Sequence, residues 1–170
     1  GWIRHGGGQG LWGELADGFG LKNFMAGNSG VQMGGWFNKE INSADDFKGL
    51  KMRMPGLGGQ MITKLGASVV GMPGGQIYEN LVNGTIDACE WVGPWNDERS
   101  RFYEAAKYYY WPGMHEPGTL ITLGCNKSWL TSLSKTDQMI IEHAATVQNE
   151  MMLTEYNANN GAALQRLITD

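Results

Sequence analysis

The sequence predicts an α/β fold, a lobe with a mainly parallel sheet, crossover strands and a long C-terminal helix. Three observations predict it. Between residues 50 and 111, strand-like and helix-like runs alternate in the order β-α-β-α-β-α-β, and units of that length place helices on the faces of a parallel sheet. Glycine supplies 26 of the 170 residues, about twice the usual share. No low-complexity tract holds it, so it serves tight turns between many short elements. From Lys135 an apolar stripe recurs at helical spacing, through Ile140, Ala144, Val147 and Met151, with a second row at Ile141, Ala145, Met152 and Tyr156.

The elements follow in order. Residues 11–19 read as a short helix stopped by Gly20. Residues 21–26 and 32–37 read as strands around the turn Gly27-Asn28-Ser29-Gly30. Ser43-Ala44-Asp45-Asp46 starts a short helical turn that ends at Gly49. Residues 50–54 form a strand, 58–65 a helix stopped by Gly66, and 68–71 a strand. A helix over 76–82 is entered through Pro73-Gly74-Gly75. Then come a strand over 86–92, a helix over 94–106, and strands over 107–111 and 119–126. Ser134 caps the last helix, over residues 135–168, with Asp137 completing a capping box in place of the preferred Glu. At ~1.5 Å per residue that helix is ~50 Å long, more than a compact domain of this size is wide. It is expected to brace two lobes or to meet another chain.

Composition bounds the function. At 42% hydrophobic and 18% charged residues the chain is a folded protein with a real core. A net charge of -4 argues against nucleic acid or an anionic membrane surface as partner. The apolar runs are too short to span a bilayer, and no leader pattern opens the sequence, which places any export signal outside it. Cys89 and Cys125 lie in strand-like runs and read as two small buried residues, with a disulfide as the alternative.

Several chemistries are excluded by spacing. Gly6-Gly7-Gly8-Gln9-Gly10 lacks the Gly-Lys-Ser/Thr of a phosphate loop. Gly56-Leu57-Gly58-Gly59-Gln60-Met61 follows a strand and opens a helix, but its sixth position is Met rather than Gly. His5, His115 and His143 do not stand at metal-ligand spacing from one another, which argues against zinc. No Ser–His or Cys–His constellation is evident. Tyr108-Tyr109-Tyr110-Trp111 reads as an aromatic strand packed on both faces rather than as a stacking platform. The sequons at Asn83 and Asn126 are of a kind common by chance.

What remains is a pair of segments. Glu90 stands beside Trp91, Val92 and Trp95 in a β-prone run, where an isolated anion is costly unless an arginine or a cation meets it. Arg53 ends another apolar run, just before a glycine-rich turn. In open α/β sheets ligands bind beyond the carboxyl ends of strands, and a guanidinium fork there suits a carboxylate. Glu90 and a ligand carboxylate would repel each other unless a hard cation stood between them, and Gln32 offers an amide oxygen for such a site.

Together these segments resemble the extracytoplasmic solute receptors of TRAP (tripartite ATP-independent periplasmic) transporters, the DctP-type family. The resemblance rests on Gly27-Asn28-Ser29-Gly30-Val31-Gln32-Met33-Gly34-Gly35-Trp36-Phe37, on residues 47–59, on Pro73-Gly74-Gly75, on residues 84–97 and on Lys107-Tyr108-Tyr109-Tyr110. It is closest to the branch that binds 2-oxo acids and other monocarboxylates. It implies a periplasmic-binding-protein-like fold of two α/β lobes closing on a cleft, of which this chain covers about half. It also implies that Arg53 clamps the ligand carboxylate. The side chains of Gln32 and Glu90 and the carbonyl of Trp91 would hold a bridging cation, sodium or in some members calcium. Asn96, in the same run, is a further candidate to touch substrate.

The function so implied is capture of a small carboxylate such as pyruvate in the periplasm, for delivery to a TRAP membrane permease, without catalysis. The rival is an enzyme acting on a 2-oxo acid through a metal-polarised carbonyl, for which Asp97 is the nearest general acid or base. The expected organisation is a crossover segment over 1–30, an α/β lobe with the ligand residues over 31–115, a crossover strand over 116–133 and the bracing helix over 134–170. Residues 86–92, residues 119–126 and the helix face over 140–167 are expected to pack against residues the chain lacks. Arg53 and Glu90 are then more exposed than in a complete receptor, and the long helix is the expected route to a homodimer.

Overall fold

A computed structural model describes residues 1–169 of the chain. The elements in order are α1 (Trp2–His5), α2 (Gly8–Asp17), β1 (Leu21–Val31), β2 (Gly35–Phe37), β3 (Lys51–Arg53), α3 (Gly56–Lys64), β4 (Ser68–Val70), α4 (Ile77–Val82), β5 (Ala88–Cys89), α5 (Pro94–Arg99), β6 (Tyr108–Tyr110), β7 (Gly118–Asn126), α6 (Lys127–Ser132) and α7 (Lys135–Thr169). Short 3-10 turns cover Ala44–Phe47, Gly74–Gln76 and Phe102–Glu104. The chain divides into two units, residues 1–28 with 120–155, and residues 29–119 with 156–170.

The second unit holds a five-stranded sheet in the order β4-β3-β5-β2-β6. Strands β3, β4 and β5 are parallel, while β2 is antiparallel to both β5 and β6. Four strands therefore share one direction, and β2 enters between them reversed because the chain crosses in from elsewhere rather than through a helix. Strand alternation splits the core in two. Phe37 and Ala88 pack on one face with Phe47, Leu50, Met52, Met54 and Ile62. Trp36 and Cys89 pack on the other with Ile77, Leu81, Ile86 and Phe102. Ile62 and Ile77 are fully buried, and each such side chain contributes about 1.5–3 kcal/mol.

In the first unit β1 pairs with β7, over a small core of Phe24, Cys125, Leu130 and Ala145. Helix α6, absent from the sequence reading, starts where the Asn126 carboxamide accepts a hydrogen bond from the Trp129 N–H at 3.0 Å. Helix α7 opens on half of the expected box: the Asp137 N–H donates to Ser134 Oγ at 3.1 Å, but the Asp137 carboxylate accepts from that hydroxyl at 2.6 Å rather than from the Ser134 N–H.

Several expectations are corrected. The turn at residues 27–30 is instead interior to β1. Gly27 serves close packing, since a Cβ there would stand 2.7 Å from Met152 Sδ and 3.0 Å from Ile121 Cβ. The strand over 86–92 shrinks to Ala88–Cys89, and the helix over 94–106 breaks at Arg101, whose φ is 58°. Ile86, Ala88 and Cys89 are buried inside the unit rather than left bare. Ile121, Leu123, Ile140, Val147 and Met151 are exposed, as expected of β7 and the long helix. Cys89 and Cys125 are free thiols, both buried, and burial pushes the Cys89 thiol well above its ordinary value.

Candidate functional site

The sheet topology of the second unit brings chemistry to one edge. Arg53 ends β3 and pairs in register with Cys89 of the parallel strand β5, so Glu90 emerges beside it. The Glu90 N–H donates to the Arg53 carbonyl at 3.2 Å. Because β2 runs the other way, the segment before it, with Gln32, reaches the same edge. The end of β6 leads there too, since Gly35 lies opposite Tyr110. The reversal of β2 thus places Gln32, Arg53, Glu90 and the loop after β6 at the carboxyl ends of parallel strands.

Arg53 is fixed on several sides. Its Nη1 pairs with Glu90 Oε1 and also donates to the Glu90 carbonyl at 3.2 Å. Its Nε donates to the Met72 carbonyl at 3.5 Å. The guanidinium lies over the Trp91 ring, 5.3 Å from the centroid. The side chain of Arg53 is 12% exposed and that of Glu90 only 3%, so this is a buried ion pair and not a solvated one. Removing either partner would strand a charge away from water. His115 Nε2 stands 3.4 Å from the second Glu90 oxygen, and the Glu116 carboxylate lies close by, each of the three groups offering an atom within 4.8 Å of the others.

Gln32 is buried and spends its NH2 on two hydroxyls, Ser29 Oγ at 3.3 Å and Thr119 Oγ1. Its Oε1 is buried with no hydrogen-bond partner. An orphaned acceptor of this kind is costly unless a donor or a cation meets it. Amide, carboxylate and backbone carbonyl oxygens are the ligand type that a hard cation such as sodium or calcium takes. Asn96 lies in α5, half-buried. Among the described residues it shares no hydrogen bond with this cluster.

Residues 6–170 match bacterial extracellular solute-binding protein, family 7, the DctP family. The chain belongs to this family. It is 47% identical over 167 residues to a monocarboxylate 2-oxoacid-binding periplasmic protein of Nostoc sp., a match covering 98% of this chain and 46% of that protein. It is 43% identical to a TRAP periplasmic solute-binding protein of Pseudoalteromonas atlantica solved with bound sodium and pyruvate, at a TM-score of 0.93, covering 99% of this chain and 51% of that one. A counterpart from Colwellia psychrerythraea, solved with calcium and pyruvate, has 43% identity and a TM-score of 0.94, with the same coverage. The chain spans about half the length of these relatives. The α/β fold and the long helix read from the sequence are those of this receptor family, which is one of binding proteins rather than enzymes.

Asp97, the acid or base that a catalytic reading needs, is fully buried and already committed. It accepts from Trp36 Nε1 at 3.1 Å, Tyr109 Oη at 2.8 Å and the Val92 N–H at 3.1 Å. Burial pushes its carboxyl up to about 6 despite those donors. Burial and the facing Asp97 push the Tyr109 phenol well above its ordinary value. Asp97 ties the Trp91–Val92 segment to β2 and β6, a structural role.

Sequence reasoning missed His115 and Glu116. It compared the histidines only with one another, and His115 is 25 residues from its partner Glu90. The available signal was position, though a weaker one: Arg53 ends its strand and Glu90 directly follows its own, whereas Met114-His115-Glu116 comes in the loop a few residues after the aromatic strand.

Proposed function

We propose that the complete protein captures a small carboxylate, a 2-oxo acid such as pyruvate, with sodium or calcium as co-ligand, and is the periplasmic solute-binding subunit of a TRAP transporter. Arg53 takes the ligand carboxylate. Gln32 Oε1, the Glu90 carboxylate and the Trp91 carbonyl hold the cation. Neither partner of the ion pair acts on a bond, and the bound acid passes unchanged to a membrane permease.

The observations that carry this reading are the buried Arg53–Glu90 pair and, at the same sheet edge, the orphaned Gln32 oxygen. Arg53 and Glu90 neutralise each other. A carboxylate drawn to Arg53 leaves the Glu90 charge unmet in a dry site. A cation supplies the positive charge that lets Glu90 and the ligand share that space, so the two ligands bind more tightly together than apart. Names and contents of the relatives support the ligand class: a 2-oxoacid-binding protein and two structures holding pyruvate with sodium or calcium.

The test is calorimetry of pyruvate binding to the complete protein, first after exhaustive chelation in a sodium-free buffer and then with either cation restored. Binding that requires the cation, with pyruvate recovered intact, supports the reading. Binding indifferent to cations, or turnover of pyruvate, contradicts it. Association of two copies through the long helix belongs to the same reading. Exposed Ile140, Val147 and Met151 recur along one helical face, and sedimentation of the complete protein tests it.

A further inference from the structure

We infer that Thr119 is a positioning residue that sets the orientation of the Gln32 amide, through a relay Glu116–Thr119–Gln32 that leaves Oε1 free for the cation. This rests on the reading of Gln32 as a cation donor.

The direction of each hydrogen bond follows from what each group can do. A threonine hydroxyl has one hydrogen. Thr119 Oγ1 lies 2.5 Å from Glu116 Oε1, and a carboxylate only accepts, so the hydroxyl hydrogen points at Glu116. Toward Gln32, Thr119 Oγ1 therefore presents lone pairs alone. An amide NH2 can meet a lone pair and an amide oxygen cannot, so Nε2 must face Thr119, as it does. Ser29 Oγ takes the second amide hydrogen at 3.3 Å, and itself accepts from the Thr119 N–H at 3.4 Å. Both hydrogens of the amide are spent, and Oε1 is turned away, buried and without a partner.

Reversing the amide would set Oε1 against the Thr119 lone pairs and leave NH2 to face the cation. Ser29 alone could not prevent this, because its hydroxyl can rotate to donate or accept. Only Thr119, anchored by a carboxylate, has a fixed sense. The backbone around Gln32 is held as well: its N–H donates to the Pro117 carbonyl at 3.2 Å and its carbonyl accepts from the Gly113 N–H at 3.1 Å. Among these bonds, the side chain's orientation is what the relay decides.

The experiment compares wild type, Thr119→Val and Thr119→Ser in the complete protein. Calcium is titrated calorimetrically, with sodium in a parallel series, and pyruvate is then titrated at limiting and at saturating calcium. Loss of an outer-shell partner lowers metal affinity about 10–100-fold, and that is the expected effect of valine on calcium. Pyruvate binding by the valine variant should weaken at limiting calcium and recover at saturating calcium, while serine, which keeps the hydroxyl, behaves as wild type. A valine variant with unchanged calcium affinity overturns the inference, as does one that loses pyruvate affinity equally at every calcium concentration. Wild type that binds pyruvate without regard to either cation, calcium or sodium, overturns the reading of the site itself, a distinct outcome. Should the valine variant fail to fold, Glu116→Gln tests the same relay, because an amide no longer dictates the sense of the Thr119 hydroxyl. Its calcium affinity should fall, and an unchanged value counts against the relay.

Discussion

The guanidinium carbon of Arg53 stands 5.3 Å from the centroid of the Trp91 ring while the same head group pairs with the Glu90 carboxylate. A planar, delocalised cation fits between a ring face and a carboxylate, and a lysine ammonium does not. Arg53→Lys keeps the charge and loses both the fork and the stacking. Pyruvate binding by the complete protein should weaken by about 2–4 kcal/mol, the scale of a buried charge-assisted contact. Calorimetry giving the wild-type affinity would remove Arg53 from the ligand.

Glu90→Gln removes the negative charge and keeps an oxygen. Cation affinity should fall, and pyruvate affinity with it, since the two are linked through Glu90 in the proposed site. Arg53 would then face a neutral amide in a buried place, so stability should drop by about 1–3 kcal/mol in denaturant unfolding. A variant that binds pyruvate as wild type does after chelation and sodium-free dialysis would show that no cation bridges the site.

The α/β class was legible because turn glycines, strand runs and the α7 stripe repeat along the chain and each is a local signal. The Arg53 and Glu90 positions were legible because an ionic residue at the end of an apolar strand is itself anomalous. Pairing with β2 was not, because the antiparallel insertion of Gly35–Phe37 between β5 and β6 depends on where the chain crosses, which no local pattern records. That missing information hid His115 and Glu116, which reach Glu90 only through this topology. The turn expected at Gly27-Asn28 failed for a related reason: glycine was read for its freedom, whereas Gly27 is small so that Met152 and Ile121 can approach.

Asp97 should make stability depend on pH in a predictable sense. Its carboxyl is pushed from the ordinary 3.8 up to about 6 by burial, so the native state holds a proton that the unfolded chain has released. Stability from this group is therefore fully present below about pH 4 and is lost as pH rises through 6, by about 3 kcal/mol. Asn does not titrate. The stability of wild type minus that of Asp97→Asn, from denaturant unfolding at each pH, should fall between pH ~4 and ~6 and be level above about pH 7. A difference that stays level across that window would show that burial does not shift Asp97.

Gly74 meets the site from beneath. A Cβ at Gly74 would stand 2.3 Å from Cη2 and 2.7 Å from Cζ3 of Trp91, far inside van der Waals contact. The indole has little room to retreat, because it packs edge-on against the buried Phe102 at a centroid distance of 6.5 Å. Gly74→Ala should cost about 1–3 kcal/mol of stability, the usual range for overpacking, and should shift tryptophan fluorescence. It should also weaken pyruvate binding, because the displaced ring carries the Arg53 guanidinium on its face and the Trp91 carbonyl in its backbone. Gly75→Ala is the control: nothing lies within 4 Å of the Cβ it would add, so it changes neither stacking nor binding. If the two alanine variants unfold and bind alike, Trp91 does not rest on Gly74, and the stacked support of Arg53 must come from elsewhere.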